Sequence, residues 1–285
     1  MGKILVAGAS GNIGRELTRR LAAVGADYDV LRSRGGATGG DPAVRVASYA
    51  DPAALATAFA GIETLFVVLP LIPDKLALAR NVATAARAAG VRHVVRASGA
   101  GADPAAPYAL PRLQGQIDAV FEATGLATTF LRPAAFMQNY ATYMAGMVRS
   151  GQVYAASADA PQSLVDVRDV AAVATVVLQD PAAHAGRAYT LTGPKALTDT
   201  QRVAILARAL DRPIAFTPIS LVAAEERMRA MGMPPAVVEW LGSLNQLTSA
   251  GLAAATSPDI VNLLERPATS FERFVVDHLS VWKDQ

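Results

Sequence analysis

Cysteine is absent from the 285 residues. Its absence excludes disulfides, thiolate nucleophiles, cysteine-ligated zinc and iron–sulfur clusters. Histidine is scarce: the three are His93, His184 and His278. None lies at helical spacing from another, so no metal site is expected. Lysine occurs only as Lys3, Lys75, Lys195 and Lys283, and the basic balance rests on arginine. The net charge is only +2 and the arginines are scattered, so a pI of about 9.0 does not argue for nucleic acid. No apolar run approaches the roughly 18–20 residues of a membrane span. The longest, Thr64 to Pro70, is strand-sized. The first residues lead directly into Lys3-Ile-Leu-Val-Ala-Gly, without the apolar region and cleavage site of a signal peptide. A cytoplasmic protein with neither membrane nor nucleic-acid partner is expected.

What the chain does have is apolar residues, 52% against 18% charged, which excludes disorder. At roughly 150 residues per domain there is room for about two. The first half alternates short β-branched runs with alanine-rich helical stretches. Strands are predicted at Ile4–Ala7, Tyr28–Leu31, Val44–Val46, Leu65–Leu69, His93–Val95 and Thr128–Leu131. Helices are predicted at Arg15–Val24, from the Asp51-Pro52 cap to Phe59, at Lys75–Ala89 and at Gln116–Ala123. Continuous apolar strands separated by amphipathic helices indicate a parallel, doubly wound α/β sheet. Ser163–Val167 and Asp169–Leu178 read as one more strand–helix return to that sheet, and Ala188–Leu191 as another strand. From Asp199 helices dominate. The expected division is 1–155, with the return at about 163–180, and 156–285 as a smaller, interleaved C-terminal domain.

The sharpest signal is Gly8-Ala-Ser-Gly11-Asn-Ile-Gly14, between a predicted strand and a predicted helix. Small residues let a backbone turn tightly and approach a pyrophosphate, and the helix N-terminus supplies free N–H groups and positive dipole. The spacing G-x-x-G-x-x-G differs from the commoner G-x-G-x-x-G. At the end of the second strand an NAD enzyme usually places Asp or Glu for the ribose 2′-hydroxyl. Here Leu31-Arg32-Ser33-Arg34 stands instead. An acid would repel a 2′-phosphate, whereas arginine pairs with it bidentately. The expected cofactor is therefore NADPH, with Arg32 the principal contact and Ser33 or Arg34 assisting.

These residues resemble the NmrA-like group of atypical short-chain dehydrogenases. The likeness runs through Val6–Gly14, Asn81–Val95, Gly125–Asn139, Val165–Ala171, Tyr189–Gly193 and Arg266–Phe271, in order and over nearly the whole chain. It implies a Rossmann domain with a smaller, mostly helical C-terminal part and a substrate cleft between them. Members include NADPH-dependent quinone, azo-dye and triphenylmethane-dye reductases, and redox sensors that bind the dinucleotide without chemistry. By position the resemblance assigns Gly8, Ser10, Gly11, Asn12 and Ile13 to the pyrophosphate, and Leu69 and Pro70 to the length of the cofactor. It sets Ser98 near the nicotinamide, and Phe136, Met137 and Asn139 at the border of the substrate cleft.

The chain departs from the group in three places. Ala47-Ser48 stand where Gly-Asp is common. Aligned on Ala123-Thr-Gly125, Leu110 and Gln114 replace the tyrosine and lysine of ordinary short-chain dehydrogenases. Asp118 stands where relatives often have Glu. Tyr108 and Arg112 have the right mutual spacing but sit two residues out of register, so Tyr108 is only a candidate acid. Reduction of a simple ketone needs a proton or oxyanion donor. A quinone, azo group, iminium or cationic dye spreads the incoming electron density itself, so a weak donor such as Gln114, or water, suffices. The expectation is NADPH-dependent hydride transfer to a conjugated apolar acceptor, by a monomer or homodimer; the alternative is a non-catalytic NADP(H) sensor. His93 is expected to be structural, and His184 and His278 to lie on the surface. Asp166 and Asp169 are expected in a salt bridge and a helix cap. Met228, Met231, Met233 and Trp240 either line a pocket or pack a helix on the core.

Overall fold

The computed structural model describes residues 2–33 and 42–283. Arg34 therefore lies outside the described residues. The chain divides into two compact units, Met1–Pro107 with Pro111–Arg132 and Val170–Thr190, and Tyr108–Leu110 with Pro133–Asp169 and Leu191–Gln285.

The β-branched runs of the first half form β1 (Ile4–Ala7), β2 (Tyr28–Arg32), β3 (Val44–Val46), β4 (Thr64–Val67), β5 (His93–Ala97) and β6 (Ala127–Pro133). Between them lie α1 (Asn12–Ala23), α2 (Pro52–Phe59), α3 (Lys75–Ala88) and α4 (Ala109–Glu122). Every residue of β1, β4 and β5 is buried, as expected of strands covered on both faces. The start of α2 is where the sequence places it: Asp51 accepts from the Ala53 and Ala54 N–H groups, and Pro52 occupies the first helical position. Removing this cap in Asp51→Ala should cost about 1 kcal/mol, measured as a lower urea midpoint with an unchanged m-value. A midpoint equal to wild type would remove the cap from the account.

Two helices begin earlier than the sequence suggests. The first starts at Asn12 rather than Arg15, directly out of the glycine loop. The fourth starts at Ala109 rather than Gln116. Pro111 lies in its first turn, where no intrahelical N–H is needed. Gly115 is there because a Cβ would fall 2.1 Å from the Asp103 carbonyl carbon. Strand β4 ends at Val67, two residues short of its expected end.

The second half continues with β7 (Ala135–Phe136), α5 (Gln138–Ala141), α6 (Ala145–Arg149), β8 (Gln152–Ala155), β9 (Gln162–Val165), α7 (Val167–Gln179), β10 (Arg187–Leu191) and β11 (Ala196–Leu197). Then come α8 (Asp199–Leu210), β12 (Ala215–Pro218), α9 (Leu221–Ala230), α10 (Pro235–Ser249), α11 (Asp259–Leu264) and α12 (Phe271–Asp277). The second unit has its own core, built on Tyr140, Val148, Leu164, Leu206, Phe271, Phe274 and Trp282. Trp240 is buried and Met231 exposed, so the methionines do not close around a common pocket.

The main sheet has the order β10-β6-β5-β4-β1-β2-β3. Its β1–β2, β2–β3, β1–β4, β4–β5 and β5–β6 pairs are all parallel. Strand order reverses between β1 and β4, and in such sheets ligands bind beyond the carboxyl ends of the strands at that point. One sequence expectation is corrected here. Residues 163–167 do not return to this sheet: β9 pairs with β7 and β11 in a separate three-stranded sheet. The added strand is β10.

Candidate functional site

At the carboxyl end of β1 the chain turns through Gly8, whose φ of +100° favours glycine. The turn is tight enough that the Gly11 N–H donates to the Gly8 carbonyl at 3.1 Å. A Cβ on Gly14 would lie 2.2 Å from the Gly8 carbonyl oxygen, so α1 rests directly on the loop only because residue 14 has no side chain. Ser10, Gly11 and Asn12 are exposed, whereas the Ile13 side chain is buried in the core, leaving only its backbone for a ligand. Gly11 caps α1 without a side-chain hydrogen bond, and no acid lies in its first turn. The positive end of the helix therefore carries open N–H groups and no internal anion, as a phosphate cradle requires.

Arg32 is the last residue of β2, and both it and Ser33 are exposed. Among the described residues no carboxylate pairs with Arg32. Ala47 is buried and Ser48 accepts from the Ala50 N–H, so neither residue offers an acid to a ribose. Leu69 is buried and Pro70 exposed beyond the end of β4. The donor set fits a dinucleotide with a 2′-phosphate: an open helix N-terminus for one phosphate and, for another, a guanidinium with no carboxylate paired to it among the described residues.

The expected residues beyond β5 belong to a network that the sequence reading largely missed. Arg96 is 1% exposed, although it lies within an apolar strand. One of its terminal nitrogens bonds to Asp118 and the other to the Gln114 side-chain oxygen. Asp118 also accepts from Arg132 at 3.1 Å and from the Ser98 hydroxyl at 3.0 Å. Burial pulls Arg96 down to about 10, against the opposing pull of Asp118. The Nε atoms of Arg96 and Arg132 are buried without a partner. Two consequences follow for the candidates. The Ser98 proton is committed to Asp118, so its lone pairs face any ligand. Gln114 gives its oxygen to Arg96, which leaves its amide N–H groups as donors. A charged residue inside the run His93-Val-Val-Arg-Ala was the available signal, because arginine is seldom buried unpaired.

Tyr108 precedes α4, and the Arg112 guanidinium is held by the Ala106 and Pro107 carbonyls. His93 is buried and shares a hydrogen bond with the Thr129 hydroxyl at 2.8 Å, a structural role. His184 and His278, expected on the surface, are half-buried; the first meets the Tyr189 hydroxyl and the second stacks on Phe274.

In the second unit, Phe136 is half-buried, and Met137 is 2% exposed within the core. Met137, Leu164, Leu197 and Phe271 line a cavity of about 240 Å³. Asn139 caps the turn that follows through its carbonyl, which accepts from Met144. Gln138 joins Asp166 and the Val167 N–H. Asp166 pairs with Arg168 and Asp169 with Arg266, in keeping with the expected structural roles. Tyr140, Asp199 and Arg202 form a closed buried triad with all three pairs at 2.8–2.9 Å. Burial pushes the Tyr140 phenol far above its ordinary range.

A parallel sheet with a glycine turn at its switch point, an open helix N-terminus and a cation after β2 defines a dinucleotide-binding α/β protein. The NmrA-like family model matches residues 1–274, and the chain belongs to that family. It is 37% identical to (4-alkanoyl-5-oxo-2,5-dihydrofuran-3-yl)methyl phosphate reductase of Streptomyces griseus subsp. griseus, over 96% of this chain and 97% of that protein. It is 33% identical to NAD(P)H azoreductase of Xenophilus azovorans, over 98% and 99%. The NADPH-dependent quinone oxidoreductase of Escherichia coli, solved with NADPH, superposes with a TM-score of 0.84 at 25% identity, over 97% and 99%. No helix among the described residues is long and apolar enough to cross a membrane.

Proposed function

We propose that the protein is an NADPH-dependent oxidoreductase that reduces a conjugated, largely apolar acceptor. One observation carries the reading: the uncapped α1 N-terminus and Arg32, unpaired among the described residues, form two anion-seeking sites on a sheet whose β2 ends without an acid. The relatives' names support the class, since they specify azo, quinone and oxo-dihydrofuran phosphate reduction. When bound, the nicotinamide supplies the hydride. The chain's own residues bind and orient. The Gly8–Ile13 backbone takes the pyrophosphate and Arg32 the 2′-phosphate. Leu69 and Pro70 are assigned to the cofactor, and Phe136, Met137 and Asn139 to the substrate. Ser98 offers lone pairs, and Gln114, fixed by Arg96, offers N–H groups to a developing negative charge. Neither Gln114 nor Ser98 is a strong acid, and Tyr108 is not paired with a lysine. General acid catalysis is worth about 10²–10⁴-fold, so acceptors that need it are turned over poorly.

NADPH consumption measured across quinones, azo compounds, iminium ions and simple ketones tests this. The expected kcat/KM for ketones is roughly 100-fold or more below that for the best conjugated acceptor. A preference for simple ketones overturns the mechanism. Tight NADPH binding with no turnover on any acceptor would give the protein a sensing role instead.

A further inference from the structure

Lys75 is the first residue of α3 and is 5% exposed, yet its ammonium has no hydrogen bond or ion pair among the described residues. Each feature of its setting is unfavourable to a lone cation. A buried charge is costly unless paired. A cation at a helix N-terminus opposes the dipole, and no acid lies in the first turn of α3. Burial holds the Lys75 ammonium down at about 8, and the charge of Arg96, also a cation, adds to the effect. Around Arg96 the other charges are the half-buried Arg132 and the buried Asp118, the one carboxylate that pairs with either arginine among the described residues. Asp74, the residue before α3, makes no capping hydrogen bond; the Lys75 N–H donates to the Ile72 carbonyl at 3.0 Å, and the Leu76 and Ala77 N–H groups stay open among the described residues. Lys75 opens α3, the helix that follows β4 and the Leu69–Pro70 segment, on the carboxyl side of that strand where ligands of this fold bind.

We propose that Lys75 and the open first turn of α3 form an oxyanion site, taking a phosphate, carboxylate or sulfonate group. The site draws on residues other than the Gly8–Gly14 loop and Arg32. An anion there relieves all four unfavourable terms at once: the desolvated charge, the missing partner, the opposed dipole and the repulsion by Arg96. The proposal rests on the reductase reading only for the source of the anion, which is either an acidic substituent on the acceptor or a phosphate of the dinucleotide.

Thermal unfolding in sodium phosphate against sodium chloride at matched ionic strength tests the site without turnover. With phosphate at about five times its Kd, the midpoint gained in wild type should exceed that gained in Lys75→Met by about 2–4 °C. Lys75→Gln reads the same quantity if the methionine variant fails to fold, and Lys75→Arg should retain the wild-type gain. Equal gains in wild type and in the uncharged variants overturn the site. The source is then read from two measurements on the same proteins. A roughly tenfold fall in the ratio of kcat/KM for a sulfonated over an unsubstituted naphthoquinone assigns the anion to the acceptor. A roughly tenfold rise in the NADPH Kd assigns it to the dinucleotide. Loss of the phosphate gain alone leaves free phosphate as the anion bound. Absence of turnover on both quinones removes the reductase reading, and the phosphate gain still decides the site.

Discussion

Asp118→Ala will destabilise the protein by about 3–5 kcal/mol, the usual cost of removing one partner from a buried ion pair. Asp118 is 3% exposed and is the carboxylate for Arg96, which is 1% exposed, and for Arg132. It also accepts the Ser98 proton. Its loss leaves two guanidiniums short of a counter-charge, in a region where Arg96 and Arg132 already carry an unpartnered Nε. Lys75 adds a third cation in the electrostatic reach of Arg96. Asp118→Asn keeps the volume and one acceptor oxygen, so its cost should fall to about 1.5–3 kcal/mol, the range for hydrogen bonds to charged groups. The pair Asp118→Leu with Arg96→Met should regain much of the loss, because apolar side chains of similar volume often replace a buried pair without penalty. Urea unfolding of the four proteins measures this directly. A cost below about 1 kcal/mol for Asp118→Ala would mean that solvent screens the cluster as it screens surface pairs. Turnover should fall as well, since Arg96 holds Gln114 and Asp118 holds Ser98.

The same network marks the boundary of what the sequence discloses. The β1–loop–α1 unit was legible because its determinants are local: an apolar run, three glycines at fixed spacing and an amphipathic helix within about twenty residues. The α2 cap was legible for the same reason, since Asp51-Pro52 acts within one turn. The early start of α4 was not. Pro111 and Gly115 look like breakers in isolation, and Gly115 is tolerated only because a distant loop at Asp103 approaches the helix. Likewise Leu164 and Val165 are apolar enough for either sheet. Their pairing with Ala135 and Phe136 of β7 is a choice of partner that no local pattern encodes. Arg96 and Asp118 are 22 residues apart, on a strand and a helix, so no spacing rule joins them. Lys75 reads from sequence as an ordinary helix residue, and only its burial without a partner sets it apart.

Arg32→Ala will abolish the preference for NADPH. Arg32 ends β2 with its side chain exposed, and among the described residues it is committed to no carboxylate. A charge-assisted hydrogen bond to a phosphate contributes about 1.5–3 kcal/mol, which is roughly a 10- to 100-fold loss in kcat/KM for NADPH. NADH has no 2′-phosphate to lose contact with, so its kcat/KM should stay within about twofold of wild type. Arg32→Asp should go further and favour NADH, because a carboxylate at this position accepts from the 2′-hydroxyl and repels the phosphate. The exposed position adds a second signature. An exposed ion pair is screened over a Debye length of about 8–10 Å, so the wild-type KM for NADPH should rise with salt. In Arg32→Ala that dependence should flatten toward what the Gly8–Gly14 loop alone contributes. Ser33 can donate a hydrogen bond but carries no charge, so Ser33→Ala should shift the preference by less than Arg32→Ala does. Steady-state kinetics with both cofactors at two salt concentrations separate these terms. Equal efficiency with NADH and NADPH in the wild-type protein would remove Arg32 from cofactor choice altogether.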